Sequence, residues 1–153
     1  MAHDFPRAAS EMTTPLELTL LNRPAEIARF QDQLETLAGQ LGLPTKILHE
    51  VQLAVEEHLA NILKHGFDDS GEHQIRVRVL PAATELRIEV EDDGRPFDPL
   101  KHPAPDLSQP MEARPVGGLG IHMMKKSVDR LEYRYENGKN VVTMTKRLTA
   151  RAP

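Results

Sequence analysis

No cysteine occurs anywhere in the 153-residue chain, which excludes disulfides, thiolate metal sites and a cysteine nucleophile. Tryptophan is also missing and aromatic residues make up only 4% of the chain, so a core must rest on aliphatic packing. No apolar run approaches the ~20 residues needed to span a bilayer. The polar stretch from Met1 to Pro15 lacks the continuous apolar centre of an export signal. The two signs of charge nearly balance, with 19 basic and 23 acidic side chains. A net charge of -4 offers no electrostatic case for nucleic acid or an acidic membrane as partner. The expectation from these absences is a cytoplasmic protein that meets neither.

With 39% hydrophobic and 27% charged residues, the chain has the composition of one globular domain. Residues 1–13 read as a flexible N-terminal tail and 14–150 as a single domain. Leu16–Leu21 alternates apolar and polar residues and predicts a strand. Asn22 then reads as a helix cap ahead of Pro24, and Ile27, Phe30, Leu34, Leu37 and Leu41 give helical spacing up to Gly42. A second helix opens at Pro44 and Thr45 and breaks at Gly66, with Leu48, Val51, Val55, Leu59 and Ile62 as its apolar stripe. Gln74–Leu80 and Glu85–Glu91 alternate strictly and predict an antiparallel hairpin. Six prolines between 96 and 115 predict a long irregular segment. A short helix and two strands joined by Asn137-Gly138 close the chain. The predicted fold class is α+β: a two-layer sandwich whose mixed, mostly antiparallel sheet carries its helices on one face.

Three short patterns carry chemistry. Glu57 and Asn61 lie four apart on the second helix and therefore share a face, a carboxylate one turn from a carboxamide. Asp92 ends a predicted strand two residues before Gly94, where a carboxylate can accept from an exocyclic amine. Gly117-Gly-Leu-Gly-Ile121 precedes a helix, where free backbone N–H groups and the helix dipole favour an anion. It is neither a Walker motif nor a Rossmann fingerprint. The histidines supply no metal-ligand spacing: His49-Glu50 lacks a second His, and His58 and His65 stand seven apart without a third ligand.

In this order and spacing the three patterns resemble the Bergerat-fold (GHKL) ATP-binding domain. Ala54-Val-Glu-Glu, Asn61–Phe67, Gly94–Pro99 and Gly117–Ile121 further resemble the RsbW-type anti-sigma-factor serine/threonine kinases. The resemblance covers about Leu16 to Leu148. It implies a kinase using ATP and Mg²⁺, with Asn61 as metal ligand and Glu57 as the catalytic group that positions or deprotonates a protein hydroxyl. It implies Asp92 and Gly94 at the adenine, Gly118, Leu119 and Gly120 at the phosphates, and a lid over about 98–116. Thr143 or Thr145 would assist near the adenine. The implied partners are a STAS-domain antagonist as substrate, a sigma factor or other regulator held in sequestration, and a second copy in a homodimer. A nucleotide-gated binding module without phosphoryl transfer is the alternative.

Overall fold

The computed structural model describes residues 15–101 and 118–148, with the backbone alone for Gly118 and Leu119. The predicted tail, residues 1–13, and most of the predicted lid, residues 98–116, lie outside the described residues. Strand β1 (Leu16–Leu21) is followed by helices α1 (Pro24–Leu41) and α2 (Thr45–His65), then by β2 (Gln74–Pro81) and β3 (Glu85–Asp92). A single 3-10 turn, Pro99–Lys101, follows. Helix α3 (Gly118–Ser127) and strands β4 (Arg130–Glu136) and β5 (Lys139–Arg147) complete the order. The predicted elements are all present, and the architecture is α+β.

The strands form one sheet in the order β1-β2-β3-β5-β4, and every pairing among the described residues is antiparallel, which corrects the expectation of a mixed sheet. Strand alternation divides the two faces. Leu18, Leu20, Ile75, Val77, Val79, Leu86, Ile88, Val90, Val142 and Met144 face the helices, where Phe30, Leu34, Val51, Val55 and Leu59 complete the core. The opposite face carries charge in ladders: Glu17 bonds Arg76 and Arg78, and Arg78 reaches Glu89. An antiparallel sheet with one solvated face reads as alternation, which is why β2 and β3 are legible in the sequence. Strand β5 differs. Placed between β3 and β4, it is buried on both faces from Asn140 to Lys146.

Local chemistry sets the ends of the elements. Gly42 closes α1 with φ 67°, and the Leu43 amide donates to the Ala38 carbonyl at 3.0 Å, satisfying a carbonyl that the helix end leaves open. Asn137 and Gly138, with φ of 54° and 74°, form the tight hairpin turn between β4 and β5. One expectation fails. Asn22 does not cap α1; Arg23 holds the cap position without a side-chain bond. Asn22 instead accepts from the His73 amide at 2.8 Å and donates to the Gly71 carbonyl at 3.1 Å. The loop leaving α2 competes for its carboxamide and is thereby tied to the start of α1.

Candidate functional site

Helix α2 forms one wall of a cavity of about 390 Å³. His58, Asn61, Ile62 and His65 line it, and their i, i+3, i+4, i+7 spacing is one face of a helix. Asp92 from the end of β3, Arg95 to Phe97 just beyond it, Asn140 from β5 and Ile121 from α3 supply the other walls. The volume lies in the range of small-molecule sites.

At one end of the cavity the backbone of the segment after β3 meets the end of α2. The Arg95 amide donates to the Gly66 carbonyl at 2.8 Å, and the Arg95 guanidinium donates to the His65 carbonyl. A positive group at a helix C-terminus is favourable. A Cβ at Gly94 would stand 2.5 Å from the Gly66 oxygen, so only glycine fits there. Gly94 is thus required by the approach of two backbones, a reason the sequence did not disclose.

Asp92 is 4% exposed, and burial pushes its carboxyl above the ordinary carboxylate range. Bonds from the Gly94 amide at 2.9 Å and from Asn140 at 3.1 Å oppose that shift, and both fall on Oδ1. The second carboxylate oxygen has no partner among the described residues. It is left able to accept a further hydrogen bond.

Asn140 is the residue that sequence reasoning missed. Its Nδ2 donates to Asp92 Oδ1, to the Gly94 carbonyl at 3.3 Å and to the Arg95 carbonyl at 2.9 Å. Its Oδ1 accepts from the Phe97 amide at 3.0 Å and the Tyr133 hydroxyl at 2.6 Å. One buried carboxamide therefore joins β3, β4, β5 and the segment leaving Asp92. The β3–β5 register sets Asn140 opposite Asp92. The same register places Thr143 opposite Glu89 and Thr145 opposite Arg87, on the face away from the cavity, which corrects the expectation that either threonine helps there.

The other end of the site belongs to Glu57 and α3. A Cβ at Gly120 would lie 2.5 Å from Glu57 Oε2, so the carboxylate rests directly against the helix start. Gly118 to Gly120 form the first turn of α3 rather than a loop before it. Amides of a first turn lack partners within the helix. Between the two ends stands Asn61, whose Nδ2 is buried without a hydrogen-bond partner among the described residues. Of the expected residues, Asn61 and Asp92 line the cavity itself. Glu57 and Gly120 meet each other, and Gly94 meets Gly66. The side chain of Leu119 is not described.

The Asn61 carboxamide oxygen, on the cavity wall, is a hard donor of the kind Mg²⁺ takes from proteins. The residues therefore fit the metal that the sequence resemblance implies.

The sequence model described as the histidine kinase-like ATPase domain matches residues 20–146, and the chain belongs to this family. Over 139 residues it is 27% identical to the serine-protein kinase RsbW of Listeria monocytogenes, covering 88% of each chain. It is 26% identical to the serine/threonine-protein kinase BtrW of Bordetella bronchiseptica, covering 89% of this chain and 94% of that one. Among solved structures, the RsbU and RsbW domains of Rv1364c from Mycobacterium tuberculosis match with a TM-score of 0.64 at 21% identity. That match covers 92% of this chain and spans 34% of the larger one. The blue-light activated histidine kinase EL346 of Erythrobacter litoralis matches with a TM-score of 0.50 at 22% identity, over 81% of this chain and 60% of that one. These likenesses support the fold.

Proposed function

We propose that the protein is an ATP-dependent serine/threonine protein kinase that phosphorylates a STAS-type antagonist protein and holds a sigma factor or similar regulator when that substrate is absent. The observation that carries the reading is the polarity of the site along α2. Gly66 marks the end where Asp92 offers its acceptor, and Glu57 marks the end where α3 begins. At 1.5 Å per residue the two are about 14 Å apart, a span suited to a nucleoside triphosphate laid along the helix. The names of the 26–27% identical relatives, RsbW and BtrW, supply the protein-kinase part of the reading.

In this reading the free oxygen of Asp92 accepts the exocyclic amine of adenine, and Asn140 keeps the carboxylate turned for it. Asn61 would hold Mg²⁺, which when bound neutralises phosphate charge. The amides opening α3, from Gly118 through Leu119 to Gly120, face the phosphates. Glu57 takes the proton from the substrate hydroxyl as its oxygen bonds to the γ-phosphorus. The bond from that phosphorus to the ADP oxygen breaks, and ADP leaves. Positioning and charge neutralisation dominate such transfers, so few side chains suffice.

The test is transfer of label from γ-labelled Mg-ATP to a Ser or Thr of the STAS partner. Replacing Glu57 by Ala is expected to abolish labelling while ATP still binds. Labelling that survives Glu57→Ala removes the carboxylate from the mechanism, and nucleotide binding without any labelling turns the reading into that of a nucleotide-gated binding module.

A further inference from the structure

We propose that His58 donates a hydrogen bond to a phosphate oxygen of the bound nucleotide and so orders the triphosphate against α2. This deepens the nucleotide reading and rests on it. Three observations converge. His58 begins the α2 face that lines the cavity, one turn before Asn61. The residue is 4% exposed and its ring makes no hydrogen bond among the described residues, with Nε2 fully buried. Asn61 Nδ2, next along the same face, is the other buried polar atom without a partner on this wall.

A buried polar atom left unpaired is unfavourable to folding, and leucine or isoleucine would fill such a helix position without that cost. Retention of imidazole in a cavity wall fits a group whose partner arrives with the ligand. Position along α2 selects the part of the ligand. His65 and Gly66 stand at the Asp92 end, whereas His58 adjoins Glu57 at the α3 end. Its partner is therefore phosphate and not base. Burial holds the ring neutral down to about pH 4, so one ring N–H is present to donate at physiological pH.

The experiment compares adenosine, ADP and ATP, the latter two with Mg²⁺, binding to wild type, His58→Leu, His58→Gln and Asp92→Asn by calorimetry. Loss of one such bond predicts that His58→Leu weakens ADP and ATP about tenfold. Adenosine binding should be unchanged in His58→Leu, and His58→Gln, which keeps an N–H donor, should restore most of the lost affinity. The imidazole ¹⁵N signals of His58 should move when ADP is added and stay when adenosine is added. Wild-type ADP affinity in His58→Leu, or an equal loss for adenosine, overturns the proposal. Should His58→Leu fail to fold, imidazole signals that ignore ADP overturn it instead. Asp92→Asn separates the two levels. If it weakens all three ligands while His58→Leu weakens none, only the His58 contact falls; if wild type binds none of the three, the nucleotide reading falls with it.

Discussion

Asp92 shows how much a single buried group is asked to do. Both its bonds use one oxygen, leaving the other as an acceptor in a site that has already raised its pKa. The ionised form accepts the stronger, charge-assisted bond from an amine. ATP affinity should therefore fall on acidification, beginning at a higher pH than an ordinary carboxylate would give. Asp92→Asn should cost at least about tenfold in ATP affinity, equivalent to ~1.4 kcal/mol, while the circular dichroism spectrum stays native. A titration of ATP affinity against pH in both proteins checks this, because the wild-type curve should descend toward that of the variant. A pH-independent gap between them would place the discrimination elsewhere.

At the scale of elements, the two tight glycines sort by what stands against them. Gly94 faces the backbone oxygen of Gly66, which cannot move without shifting the end of α2. Gly94→Ala should destabilise the fold by about 1–3 kcal/mol, the usual cost of forced overpacking, and denaturant titration would read it. Gly120 faces the tip of the Glu57 side chain, which can swing away. Gly120→Ala should leave the melting temperature equal or higher, since alanine favours a helix by ~1 kcal/mol over glycine. The same variant should slow phosphoryl transfer by displacing the carboxylate. A variant that unfolds, or that transfers at the wild-type rate, would contradict the placement of Glu57 against α3.

For the whole molecule, the buried histidine sets a pH dependence of stability. The folded state keeps His58 neutral to about pH 4, whereas the unfolded chain protonates it near its ordinary value of 6.5. The unfolded state then binds more protons in that window, so the contribution is complete above about pH 6.5 and is lost as pH falls toward 4. The loss amounts to about 3 kcal/mol at ~1.4 kcal/mol per pH unit. Asp92 works in the opposite sense: its raised pKa favours the folded state at low pH, and that contribution fades as pH rises through the raised value. Urea titrations between pH 7 and 4 should show the histidine slope in wild type and lose it in His58→Leu. The ion-pair ladder on the open face of the sheet lies at side chains 20–50% exposed, and should contribute little that salt can remove.

What the sequence determined by itself is local. Period-two alternation marked β2 and β3, helical spacing marked α1 and α2, and Asn137-Gly138 marked the closing hairpin, because each is a matter of neighbours within a few residues. The pairing of Glu57 with Asn61 was legible for the same reason, being one turn of one helix. Tertiary structure decided the rest. That Asn140 rather than Thr143 or Thr145 meets Asp92 depends on the register between β3 and β5, and a shift of one residue would reverse the faces. That Gly94 is needed against Gly66, and that Glu57 rests on Gly120, depends on where α2 crosses the end of the sheet and the start of α3. Such contacts join residues far apart in the chain, and no local pattern encodes the distance between them. His58 shows the division most plainly: the sequence places it on the face of Asn61 and Ile62, and only the packed structure leaves its ring buried, unpaired and beside a cavity.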